Sequence, residues 1–354
     1  MTVTISKPAF SLRETLNALK KKTGVFGEQV MRAETVSDFY NVVGINRNLL
    51  INGDFRVSQR ADYSSPTAMS SQYTLDRWVN YQYNITGTLQ HTTVTFNNET
   101  HRALKVVLTN TTSGELLMEQ RVEPINLISG KTYTLSAWVR TNNNSVRFRI
   151  HDGNGWVSAP AATFCPPDGQ WHKITWSYPY YSPVSGYHPV QMYCNSGISG
   201  DWYEFTDMQL EEGTVATPFE RRHYQQELAL CQRYYEKSFP DGVTPGNGVD
   251  STSGANGSKV IAHFAPWLGS GAAVVSIPMK VPKRTTPSVG QYGNSSGQLG
   301  FLANGVLPTT QTAVNYSANI SVQPLDANEL YINNQYTQNT LFCIYGGWTA
   351  SAEL

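Results

Sequence analysis

The chain has 354 residues, with 26 Lys and Arg against 26 Asp and Glu, so its formal net charge is zero. A balanced chain carries no basic surplus, and neither nucleic acid nor membrane insertion is expected. Only 15% of residues are charged, and Asn, Gln, Ser, Thr, Gly and Tyr are abundant while helix formers are sparse outside two segments. That composition favours short strands joined by polar turns, with all-β as the leading class. Cys165, Cys194, Cys231 and Cys343 lack the paired short spacings of a zinc site and are expected to be free thiols. No cofactor is expected.

The length suits two folded units with smaller pieces, at about 100 to 200 residues per domain. Met1 to Lys22 has no apolar h-region, so it reads as neither a signal peptide nor a membrane span. Ser11 and Glu14 form a capping-box pattern ahead of Leu12, Leu16 and Leu19, and a second helical piece is expected from about Glu28 to Val43. Residues 1–46 hold too few apolar groups for a core of their own. They either dock onto a partner or pack across the next domain.

From Asn48 the character changes. Asn48 to Phe55 is an apolar run stopped by Asn52-Gly53, which predicts a strand entering a bend. Period-two alternation then predicts strands at Leu104 to Leu108, Thr132 to Arg140, Ser145 to Ile150, Trp171 to Tyr178 and Tyr203 to Leu210. Strands at this spacing without intervening helices fit an antiparallel jelly-roll sandwich over 47–222. A linking helix is predicted from His223 to Ser238, with Tyr224, Leu228, Cys231 and Tyr235 on one face. Pro240 and a Gly/Ser/Asn-rich stretch follow, and 239–354 reads as a smaller β domain with strands at 259–264, 272–281, 298–302, 312–322 and 341–345. Its polarity suggests that it is stabilised by copies of itself, so a homo-oligomer is expected.

Four stretches carry a resemblance: Asn48 to Phe55 (NLLINGDF) with Thr74 to Trp78 (TLDRW), Gly130 to Arg140 (GKTYTLSAWVR), Asp168 to Tyr178 (DGQWHKITWSY), and Met208 to Tyr235 (MQLEEGTVATPFERRHYQQELALCQRYY). Together with the N-terminal KPAFSLRETL and the final Ala350 to Leu354, the chain resembles bacteriophage tail-fibre and virion structural proteins that carry a carbohydrate-binding-type jelly roll. The resemblance implies a virion protein, assembled in the bacterial host cytoplasm and placed in the tail for host attachment or on the head as decoration. It further implies a homotrimer attached to other virion proteins through its N-terminal segment, host-surface or environmental glycans as ligands, and a structural calcium, for which Asp54 and Asp207 sit in the matching motifs.

Sugar recognition by a sandwich needs aromatic rings to stack on a pyranose and polar groups to fix its hydroxyls. Alternation puts Tyr133, Leu135, Ala137 and Val139 on the core face and Trp138 and Arg140 outward; Phe148 and Ile150 point inward and Arg147 and Arg149 outward. Trp138, Arg140, Arg147 and Arg149 form the first candidate site. The alternative is that Trp138 covers a sheet edge or lies under a loop. Trp176 and Tyr178, sharing a face with Tyr180, form the second, against core packing for Trp176. Trp171 follows a turn-to-strand pattern and is read as structural.

No nucleophile elbow, His-Glu-x-x-His motif or phosphate loop is present, so a non-enzymatic protein is expected. A polysaccharide depolymerase is the enzymatic alternative, since it needs only two carboxyl groups about 5 to 10 Å apart, such as Glu211 with Glu212 or Asp201 with Glu204. A soluble cellular carbohydrate-binding protein is the other.

Overall fold

The computed structural model describes residues 47–110, 112–183, 186–240, 243–246, 260–261, 273–292, 299–303, 315–317, 320–334, 342–345 and 347–354. The helices expected within 1–46 lie outside the described residues.

Eleven strands build the first unit: β1 (Thr67–Ala68), β2 (Val79–Tyr83), β3 (Gly87–Phe96), β4 (Glu99–Leu108), β5 (Thr112–Val122), β6 (Thr132–Thr141), β7 (Arg147–His151), β8 (Trp156–Ser158), β9 (His172–Pro179), β10 (His188–Gly197) and β11 (Trp202–Glu212). They form a six-stranded sheet in the order β1-β3-β4-β11-β6-β9 and a five-stranded sheet in the order β2-β5-β10-β7-β8, with antiparallel pairing throughout. Neighbouring strands are often far apart in sequence, as in a jelly roll. The expected mainly β, antiparallel sandwich is what forms.

Alternation determines which side chains fill the space between the sheets. Tyr133, Leu135, Ala137 and Val139 of β6 are buried there, facing Phe148 and Ile150 of β7 and Val190, Met192 and Cys194 of β10. Phe55, Trp78 and Phe205 meet edge to face with ring centroids 5.0 to 6.0 Å apart, the geometry aromatic quadrupoles favour. Cys165, Cys194 and Cys231 are buried free thiols.

Two expected elements differ. Asn48 to Phe55 is an irregular strap instead of a strand, with Asn52 and Phe55 at positive φ. Only parts of its backbone reach β11: the Leu49 N–H donates to the Leu210 carbonyl at 2.8 Å and the Met208 N–H to the Gly53 carbonyl at 2.9 Å. Side chains satisfy much of the rest, as buried backbone requires. Asn48 Oδ1 accepts from the Leu50 N–H, Arg222 donates to the Leu50 carbonyl at 3.0 Å, and Glu227 accepts from the Asn52 N–H.

The second difference is the linking helix. It spans only Tyr224–Gln232 (α1), because Tyr235–Lys237 forms a strand, β12. Sheet pairing overrides the helical spacing there: β12 pairs with a late strand that returns from the end of the described chain. The later strands are β13 (Val260–Ile261), β14 (Ala273–Pro278), β15 (Ser288–Tyr292), β16 (Leu299–Ala303), β17 (Asn315–Ser317), β18 (Ile320–Pro324), β19 (Glu329–Asn334), β20 (Phe342–Tyr345) and β21 (Gly347–Ser351). They form the sheets β12-β21-β15, β13-β20-β16-β17 and β14-β19-β18. The described residues of the strand expected over 312–322 belong to β17 and β18. Among the described residues, no helix is long and apolar enough to cross a membrane.

The segment after β21 packs on the jelly roll. Glu353 pairs with Arg60 at 2.8 Å and with the buried Arg77, whose guanidinium lies 3.5 Å from the centroid of the Tyr234 ring. The TLDRW stretch is therefore a junction: Trp78 enters the core, Asp76 accepts from Gln59, and Arg77 holds Glu353.

Gly53 tests the strap. A Cβ there would lie 2.1 Å from the Met208 carbonyl oxygen, which is backbone and cannot swing away. Gly53→Ala is expected to cost about 2 kcal/mol or more, while Gly155→Ala, with nothing within 4 Å of its Cβ, stays within about 0.5 kcal/mol of the parent. Denaturant unfolding of both variants checks this.

Candidate functional site

The residues proposed for one site fall on two sheets. Trp138 and Arg140 belong to β6 in the six-stranded sheet, and Arg147 and Arg149 to β7 in the five-stranded sheet. All four point away from the shared core, so they lie on opposite outer faces. The single four-residue site is corrected to two surfaces.

On the six-stranded face the end of the β3–β4 hairpin folds over the sheet. The Phe96 ring stacks on His101 at 4.0 Å and on Trp171 at 4.6 Å and meets Trp138 at 5.3 Å. Arg140 donates from Nε to Glu204 at 2.7 Å and lies 5.0 Å from the Trp171 ring centre and 5.6 Å from that of Trp202. Glu204, only 1% exposed, also accepts from Thr92. Trp138 thus lies under a hairpin, and its aromatic neighbours hold that hairpin down.

The second expected group is core-facing. Tyr178 pairs across the sheet with Tyr133 and Trp176 with Leu135, and directly opposed residues share a face. Tyr178 is buried, its hydroxyl 2.8 Å from His188 Nε2, and burial pushes that hydroxyl well above its ordinary pKa of 10. Trp176 is partly buried against the same core. Neither belongs to an outward surface.

The outer face of the five-stranded sheet is different in kind. Register places Val79, Glu119, Gln191, Arg149 and Ser158 in one row across its strands, and Tyr81, Leu117, Tyr193 and Arg147 in the next. The first row is knit by side chains: Arg121 Nε donates to Glu119 at 2.9 Å, Gln191 Nε2 to Glu119 at 2.6 Å, and Arg149 Nε to Gln191 Oε1 at 2.6 Å. Arg149 then grips Glu115 with both terminal nitrogens, at 2.7 and 3.1 Å, the bidentate geometry that suits a guanidinium. Glu119, Gln191 and Arg149 are all nearly inaccessible although they face away from the core.

Aromatic rings bound this polar floor. The Arg149 guanidinium lies between Tyr193 at 3.8 Å and Trp156 at 4.5 Å, and Arg147 lies between Phe164 at 4.7 Å and Tyr193 at 5.0 Å. On the far side Arg121 lies 4.5 Å from the Tyr187 ring and donates to the Tyr81 hydroxyl. The outermost groups are accessible: Trp156 is 49% and Tyr83 68% exposed, and the Glu115 side chain 41%. Arg147 Nε has no hydrogen-bond partner among the described residues.

Charge is arranged accordingly. Hydrogen bonds from Arg149 hold the Glu115 carboxyl below its ordinary value of 4.5, and burial raises the Tyr193 hydroxyl. At neutral pH the face therefore offers a carboxylate acceptor, guanidinium donors and exposed rings. Sequence reasoning found Arg147 and Arg149 but missed Glu115, Glu119, Arg121, Gln191 and Tyr193. The alternation over 115–122 and 190–194 carried the signal for all five.

Asp54 and Asp207, considered for calcium, are paired with basic side chains. Asp54 meets Arg56 at 2.5 Å, and Asp207 meets His101 at 3.1 Å and Arg221 at 3.6 Å. This donor set is not the oxygen cage that calcium takes, and among the described residues no group of three or more His, Cys, Asp or Glu is placed to hold a metal.

No family model and no curated protein matches the chain. Among solved structures it is similar to the enzymatically active domain of bacteriophage CBA120 tailspike protein 4, at 12% identity over 47% of this chain and 21% of that one, with a TM-score of 0.31. It is similar to TmCBM61 in complex with β-1,4-galactotriose, at 15% identity over 48% of this chain and 100% of that one, with a TM-score of 0.28. The CBM22-1 xylan-binding domain from Paenibacillus barcinonensis Xyn10C matches at 16% identity over 44% and 99%, with a TM-score of 0.29.

Arg149→Ala is expected to lower stability by about 2 kcal/mol, because charged hydrogen bonds to two neighbours are lost together. Trp156→Ala, half exposed at the rim, changes it by about 0.5 kcal/mol or less. The Arg149–Glu115 pair contributes stability above the ordinary carboxylate value of 4.5 and loses it as pH falls through the lowered folded value. Thermal unfolding of both variants between neutral and acid pH checks magnitude and sign.

Proposed function

We propose that the protein is a non-enzymatic, glycan-binding component of a bacteriophage particle, and that the outer face of its five-stranded sheet is the recognition surface. One observation carries the glycan reading: a buried, mutually hydrogen-bonded polar floor bordered by accessible aromatic rings. A polar floor whose members already satisfy one another needs no rearrangement before a ligand arrives, which lowers the ordering cost of weak, multi-hydroxyl recognition. Trp156 supplies a ring for the apolar face of a pyranose, Glu115 an acceptor for hydroxyls, and Arg147 a donor.

The virion reading rests on the resemblance of the four motif stretches to phage fibre and virion proteins. In that reading residues 1–46 attach the protein to the tail or head, and 239–354 associate as a trimer that multiplies weak binding by avidity. The carboxylates on the recognition face serve as hydrogen-bond acceptors there, and the glycan leaves unchanged.

Binding to an array of bacterial surface and plant polysaccharides tests the proposal. Trp156→Ala is expected to weaken retention at least about tenfold, the loss of one stacking contact, with unfolding behaviour unchanged. Retention equal to that of the parent protein, or shortening of the bound polymer, would contradict it.

A further inference from the structure

The β3–β4 hairpin is longer than the core it covers. On its inward face, alternation runs Leu89, His91, Thr93 on one strand and Val106, Leu104, Arg102 on the other, paired across the hairpin. Leu89, Leu104 and Val106 belong to the core, whereas His91 and Arg102 occupy the same face beyond it. Polar side chains thus overhang the end of the sandwich where a further apolar layer would have closed it.

The space beneath them is a pocket of about 290 Å³, lined by these two residues, by Arg56, Gln59 and Asp62 of the strap's continuation, and by Tyr224 at the start of α1. That volume is close to the small end of ligand pockets. It suits one sugar ring and not a polymer.

The lining mixes donors and acceptors. Arg56 and Arg102 donate, and Asp62, held by the Ser64 N–H and hydroxyl at 2.9 Å each, accepts. His91 is bonded to the Phe55 backbone, and burial beside Arg102 lowers its pKa to about 4, so the ring is neutral. The Nε2 of His91 is buried with no hydrogen-bond partner among the described residues. Tyr224, 37% exposed, adds a ring at the mouth. Because Asp54 and Asp62 stand beside the two arginines, the charges nearly balance. The site suits a neutral polyol better than an anion.

From this we infer a second carbohydrate site, separate from the five-stranded face, that holds a single neutral hexopyranose between the β3–β4 hairpin, the strap and the first turn of α1.

Saturation-transfer NMR on the full chain with glucose, galactose, mannose and N-acetylglucosamine tests it. The measurement is made in the Trp156→Ala background so that the other face does not contribute. At least one sugar is expected to receive saturation, and Arg102→Ala and Tyr224→Ala, both accessible positions, should each weaken binding about fivefold or more. Neither variant should alter polysaccharide retention by the protein with Trp156 intact, so the two sites can fail independently. No saturated sugar, binding indifferent to both variants, or displacement of the sugar by inorganic phosphate would overturn the inference.

Discussion

The five-stranded face depends on Gln191. It sits on β10, in the middle of the sheet, and both ends of its amide are engaged: the oxygen takes a hydrogen bond from Arg149 and the nitrogen gives one to Glu119. A side-chain amide can join a guanidinium to a carboxylate in this way, since it donates and accepts at fixed spacing. Through it the charges on β7 and β5 belong to one network that runs from Glu115 to Arg121. Arg121 extends the network to the Leu354 carbonyl, so the returning chain after β21 supports the same floor.

A second network at the junction with the C-terminal sheets has a structural task. Asp76, Arg77, Arg222, Glu227 and Glu353 are buried or nearly so, and each is matched by opposite charge or by backbone groups that the irregular strap leaves unpaired. Removing one member of such a set strands the others, which makes the set a strong constraint on geometry. Of the stretches carrying the resemblance to phage proteins, Asn48 to Phe55, Thr74 to Trp78 and the segment around α1 contribute to this junction. They specify how strap, helix and returning strand meet, and the outer face of the five-stranded sheet lies elsewhere.

Alternation was legible in the sequence, and sheet membership was not. The inward residues of β6 and β7 are as expected, since a period of two fixes faces within a strand. Yet β6 and β7, joined by a short connection, enter different sheets, and β7 finds its partner in β10, about forty residues later. Four outward residues therefore read as one surface when they make two. Trp176 and Tyr178 show the complementary limit: their shared face was evident, but only pairing with Leu135 and Tyr133 turns it inward. The helix ended early for a related reason, because Tyr235 suits a strand as well as a helix face and β21 supplies the partner.

Mapping backbone amide shifts by NMR while a retained polysaccharide fragment is added tests the placement of the recognition surface most directly. Shifts concentrated on β5, β7, β8 and β10, around Glu115, Arg149, Trp156 and Tyr193, are expected. Shifts confined to β4, β6 and β11, on the face under the β3–β4 hairpin, would contradict it.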